Sequence, residues 1–131
     1  MKKTLMACAI VVVMAATAAA GDPPQFMKDT YPEQALKGAW EEYQAVWSPN
    51  GAIPVKQKQL IALAVAAQIP CEYCIYAHTL KAKQAGATEA EIKEALAVAA
   101  MTRKWSTVLN GAAYDLEKFK AELGSVSKAS K

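Results

Sequence analysis

Leu36, Trp40, Tyr43 and Trp47 recur at intervals of three and four in a largely polar stretch. That spacing gathers apolar side chains into one stripe of a helix, so an amphipathic helix is predicted from Pro32 to Trp47. Ser48, Pro49, Asn50 and Gly51 break the pattern. Pro54, whose missing N–H suits a first helical turn, opens a second helix reaching about Gln68. From Leu60 to Ala67 this helix is apolar on every side, which predicts a central element packed by several neighbours. Ile69 and Pro70 end it. Cys71 opens a third helix, and Gly86 closes it, glycine being the residue that most readily takes the left-handed cap conformation. Thr88 with Glu91 matches a capping box and starts a fourth helix, whose apolar face carries Ile92, Ala95, Leu96 and Ala99. Asn110 and Gly111 interrupt it before a last helix bearing Leu116, Phe119 and Leu123. The pattern predicts an all-α, single-domain bundle of about five helices and no strands.

Both ends of the chain differ from this middle. Lys2 and Lys3 precede an apolar run from Leu5 to Ala20 that closes on Ala18, Ala19 and Ala20, the form of a signal peptide with an AxA cleavage site. The run is shorter than the roughly 20 apolar residues a spanning helix needs. Residues 1–20 are therefore expected to be removed on export, leaving a periplasmic or secreted protein without a membrane segment. Residues 21–31, with Pro23 and Pro24, read as a flexible lead-in, residues 32–123 as the helical domain, and residues 124–131 as a disordered tail.

The whole chain carries 15 Lys and Arg against 12 Asp and Glu, a net charge of +3. Loss of residues 1–20 removes two lysines and no acids, so the mature charge is close to balance. Balanced charge argues against nucleic acid or an anionic membrane as the main partner. Residues 21–131 include 21 alanines, which favour helix but give each helix little apolar area to bury. A core of this kind is marginal alone, and self-association is expected.

Export also removes Cys8, leaving two cysteines, Cys71 and Cys74, in an oxidising compartment. With His78, the single histidine of the chain, they stand at i, i+3 and i+7, a spacing that projects all three towards nearly one face of a helix. The first helical turn lowers a thiol pKa through unpaired N–H groups and the positive end of the dipole, which favours Cys71 as nucleophile. A base one turn away favours Cys74. From the residues alone the two assignments stand side by side. In either, one sulfur attacks a substrate and the other resolves the product as an intramolecular disulfide.

Plainer readings apply to the same residues. A structural disulfide is common in small exported domains, but one that closes so short a loop stabilises less than a long-range bridge. A zinc site would need a fourth ligand such as Glu72 or water. Covalent haem requires histidine immediately after the second cysteine, where Ile75 stands. Tyr73 and Tyr76 read as wall or packing residues, Trp40, Trp47 and Trp105 as core or interface, and Lys81, Lys83, Lys93 and Glu94 as solvated helix surface.

The stretch QLIALAVAAQIPCEYCIYAHTLKAKQAGATEAEI, from Gln59 to Ile92, resembles alkylhydroperoxidase D-like proteins of the carboxymuconolactone decarboxylase superfamily. The resemblance joins an apolar helix, a CxxC with histidine four residues on, and the loop AGATEAEI, with weaker similarity over about residues 32–123. It implies an all-helical fold assembled into trimers or hexamers, with a thiol pair that reduces peroxides or exchanges disulfides. The substrate would be a hydroperoxide, or a protein or small-molecule disulfide, served by a thiol electron donor. No metal or organic cofactor is implied, the redox group being the Cys71–Cys74 disulfide itself. By the same resemblance Cys74 is the peroxide-reacting cysteine, Cys71 the resolving one and His78 the histidine of the proton relay. The family pattern usually places a glutamate twelve residues before the first cysteine, where this chain has Gln59. Glutamine orients a partner by hydrogen bonding but takes no proton. A weaker peroxidase is expected, or one in which an acid such as Glu72 partly substitutes, and export adds weight to a disulfide-exchange role. A non-redox lactone decarboxylase, whose relatives lack the CxxC, and an oligomeric scaffold with a structural disulfide are the alternatives.

Overall fold

The computed structural model describes residues 21–129, with side chains as far as Ser125; the expected signal peptide lies outside the described residues. Among these the fold is all-α: α1 (Gln25–Thr30), α2 (Glu33–Trp47), α3 (Val55–Gln68), α4 (Glu72–Gln84), α5 (Glu89–Gly111) and α6 (Leu116–Ala129). The helix beyond the expected five is α1, which forms inside the proline-bearing lead-in. Pro24 is extended and accepts the N–H groups of Met27 and Lys28, while Gln25 donates to Asp29 at 2.7 Å. The backbone groups of this segment are thereby paired locally. Trp40 donates its indole N–H to the Gly21 carbonyl at 2.6 Å and stacks on Tyr43. At the other end α6 continues to Ala129, past the point where the tail was expected to begin.

The chain divides into a unit ending at Ala45 and a unit beginning at Val46. In the second, α3 lies against both α4 and α5. Gln59, Leu63 and Ala66, spaced by four and three, are the buried face of α3. Leu63, Ala82, Ala87 and Ile92 form the core, with Leu60, Ile75 and Leu96 packed against it. The apolar girdle of α3 is covered on this side only, and Ile61, Val65 and Ile69 are exposed. The expected central helix is thus packed by two neighbours, α4 and α5. Trp105, read as core or interface, is exposed and so not core, and Tyr73 and Tyr76 are exposed as well.

Local capping sets the helix ends. Gly86 takes φ +83°, its N–H donates to Lys83 and that of Ala87 donates to Ala82, a Schellman close that brings two buried alanines together. Thr88 and Glu91 form the expected capping box, and Glu91 also accepts the Lys56 ammonium at 2.6 Å, tying the starts of α3 and α5. Helix α5 ends at Gly111, where the Asn-Gly pair predicted a break, yet the residue in left-handed conformation is Ala113, at φ 48°.

Candidate functional site

The turn between α3 and α4 follows from Pro70. The Ile69 N–H closes α3 on Val65, proline contributes no donor, and the Cys71 N–H reaches back to Ala66 at 3.0 Å. Cys71 is then extended and becomes the N-cap of α4. Its sulfur fills the place usually taken by a hydroxyl or carboxylate oxygen, accepting the Cys74 N–H at 3.3 Å. Cys71 and Cys74 are joined in a disulfide, with Cα atoms 5.3 Å apart. Both cysteines are half-buried. When the pair is reduced, negative charge at Cys71 is met by an N–H group and by the positive end of α4.

His78 stands one turn beyond Cys74, on the same face of α4. Its Nδ1 lies 2.8 Å from Oε1 of Gln59. Gln59 is 3% exposed, the one buried polar residue among those described. Burying an amide without a partner costs about 1–3 kcal/mol, and His78 supplies that partner. An amide oxygen only accepts, so Nδ1 carries the ring proton and Nε2 keeps its lone pair. Burial, and secondarily the Lys81 charge, hold the His78 pKa below its usual value. The imidazole is therefore neutral at neutral pH and fit to accept a proton. Trp47, the last residue of α2, stacks on it with ring centroids 5.2 Å apart and planes at 28°.

The four residues singled out in the sequence are thus placed on two elements: Gln59 on α3, and Cys71, Cys74 and His78 at the start and first turns of α4. Glu72 does not join them. Two residues before Cys74 it lies across the helix, where with Ile75, Tyr76, Thr79, Leu80 and Lys83 it lines an open groove of about 500 Å³. A part for Glu72 as a substitute acid beside His78 is corrected on that ground. Trp47 is the contact that reading the sequence missed. Its place in the apolar stripe of α2 signals only burial, and nothing local relates it to a residue so far along the chain. Among the described residues no group of three or more His, Cys, Asp and Glu side chains is disposed to hold a metal ion, and no helix is long and apolar enough to cross a membrane.

Residues 34–116 match the model of the carboxymuconolactone decarboxylase family. The chain is 45% identical over 65 residues to uncharacterized protein 4 in the cox locus of Paracoccus denitrificans, covering 50% of this chain and 53% of that protein. It is 35% identical over 68 residues to an uncharacterized protein of Cupriavidus necator, covering 50% of this chain and 60% of that one. The chain thus spans little more than half the length of the curated relatives it matches. No solved structure matches it. With its all-helical fold and its family match extending from α2 to the start of α6, the chain belongs to the carboxymuconolactone decarboxylase family.

Proposed function

We propose that this protein is an exported thiol–disulfide oxidoreductase whose Cys71–Cys74 pair reduces hydroperoxides. The observation that carries the reading is a disulfide on the first turn of α4 with a tethered, neutral imidazole one turn further on. In the reduced enzyme His78 takes the Cys74 proton at Nε2, and the thiolate attacks the terminal oxygen of the hydroperoxide. The O–O bond breaks, the alcohol leaves with the proton returned from His78, and Cys74 becomes a sulfenic acid. Cys71 attacks that sulfur, water leaves, and the disulfide forms. One dithiol donor, or two monothiols, then returns both cysteines to thiols. The cap hydrogen bond onto the Cys71 sulfur suits it as resolving thiolate and as leaving group when a donor attacks Cys74.

Gln59 supports a second reading within the same chemistry. A relay that ends on an amide has no acceptor beyond His78, which favours a resting disulfide that exchanges with protein or small-molecule disulfides. The exposed apolar side chains Ile61 and Val65 of α3, Ile69 just after it, and Val98, Met101, Trp105 and Val108 of α5 support assembly into a homo-oligomer, trimeric or hexameric by family analogy.

Dithiothreitol-driven consumption of an organic hydroperoxide by residues 21–131 tests the proposal. Cys71→Ser and Cys74→Ser are expected to abolish turnover, and His78→Gln to slow it by roughly 10²-fold. Undiminished consumption by Cys74→Ser would overturn the peroxidase reading. No consumption by folded wild-type protein would leave disulfide exchange to be assayed on an oxidised protein substrate. Lactone decarboxylation that survives the double serine variant would give the site to non-redox chemistry. A pair too reducing to exchange with any donor would make it a scaffold's structural bridge.

A further inference from the structure

Two neighbouring residues of α3 reach the surroundings of His78 by different routes. Gln59 holds the ring edge at Nδ1. Lys58 sends its ammonium to the carbonyl oxygens of Val46 at 2.7 Å and Ser48 at 2.9 Å, the two residues that flank Trp47. The last carbonyls of a helix have no partner within it and mark the negative end of its dipole, so a cation there satisfies both acceptors and charge. The loop that follows leaves room for the cation. The Gly51 N–H folds back to the Ser48 carbonyl at 3.4 Å, and a Cβ on Gly51 would lie 2.7 Å from Lys58 Nζ. A side chain there would meet the ammonium, which would have to shift.

Trp47 thus sits between two carbonyls pinned by one ammonium, with its ring stacked on His78. We infer that Trp47 is a positioning residue for His78, seated by Lys58 in the space Gly51 leaves open, so that the indole covers one ring face while Gln59 holds the edge. The inference rests on the reading of His78 as the proton carrier of the site. A stacked, edge-bound imidazole has one free nitrogen, Nε2, and one orientation in which to use it. An indole face attracts an imidazolium, but the same cover removes water, and loss of water disfavours the charged form. Burial, the first cause that holds the His78 pKa below its usual value, acts in the second direction. Lys81 on α4 is the charged group that adds to it. From α3 comes the uncharged Gln59, Lys58 being engaged at Val46 and Ser48, and from the end of α2 the uncharged Trp47.

The single histidine makes the test direct. Long-range proton–nitrogen spectra of the isotope-labelled protein report the tautomer of His78 and its titration midpoint without any assay of turnover. Trp47→Ala is expected to raise the midpoint towards the ordinary 6.5 and to mix the two tautomers, and Trp47→Phe to restore both. Lys58→Met, which takes the ammonium from the Val46 and Ser48 carbonyls, is expected to mix the tautomers as Trp47→Ala does, and it serves if Trp47→Ala does not fold. An unaltered midpoint and tautomer in folded Trp47→Ala, or an unaltered tautomer in Lys58→Met where that is the variant at hand, would overturn the inference. Because the readout is the imidazole itself, a protein that reduces no peroxide still answers the question.

Discussion

Gln59 and His78, nineteen residues apart on α3 and α4, meet at 2.8 Å between Oε1 and Nδ1. The pair binds the imidazole in one tautomer without offering it a charge. Glu in place of Gln keeps the acceptor and adds a carboxylate, which favours the imidazolium. Gln59→Glu is therefore expected to raise the His78 titration midpoint above that of the wild type, followed by the ring proton shifts. If the missing base limits turnover, hydroperoxide consumption rises with it. An unchanged rate at a raised midpoint would place the limiting step elsewhere.

The lowered pKa of His78 also links protonation to stability. In the unfolded chain the imidazole titrates near 6.5, whereas in the folded chain burial and Lys81 hold it lower. Between those values the unfolded state binds a proton that the native state does not, so folding is favoured less as pH falls. The contribution is fully present above 6.5 and is lost as pH drops through the folded value. The urea midpoint of the wild type is expected to fall more steeply over that window than that of His78→Gln. Parallel curves would show that the imidazole is not held neutral by the fold.

Ala113 carries φ 48° in the close of α5, where its N–H donates to Asn110 and that of Tyr114 donates to Leu109. An L-residue with a Cβ pays about 1–2 kcal/mol for the left-handed conformation, part of which glycine returns as lost chain entropy. Ala113→Gly is expected to stabilise the protein by about 0.5–1 kcal/mol in urea titrations. A destabilised variant would mean that the methyl group makes contacts worth more than the backbone relief.

Val98, Met101, Trp105 and Val108 recur at helical spacing along α5 and are exposed. Neighbouring Val65 of α3 and Ile69 at its end help line an open groove of about 490 Å³ between the two helices. Exposed apolar surface of this kind supports the proposed homo-oligomer. Trp105→Glu is expected to reduce the mass seen in sedimentation equilibrium. A wild-type chain that sediments as a monomer at all concentrations would remove this reading.

Much of the fold was legible because helices are specified over short distances. The stripe of α2, the breaker at Ser48 to Gly51, the stop at Gly86 and the Thr88–Glu91 box each involve residues within a few positions of one another. Hydrogen bonds from i to i+4 and caps from i to i+3 have that reach. Other details were not legible from local signals. Within residues 21–31, expected as a lead-in, Pro24 stands at the N-cap of a short helix, α1. The Asn-Gly pair marked the end of α5 but not its left-handed residue, which Ala113 supplies at a cost that local propensity argues against.

The candidate site divides along the same line. The CxxC, the histidine one turn on and the helix N-terminus beneath Cys71 could be written down from spacing alone, because all belong to one helix. The amide on Nδ1, the indole over the ring and the ammonium that seats the indole come from α3 and the end of α2. Their meeting depends on how α3 packs against α4 and on how the loop after α2 wraps Lys58. Buried area and the pairing of buried polar groups set those arrangements between segments distant in sequence. No periodicity along a single helix carries that information.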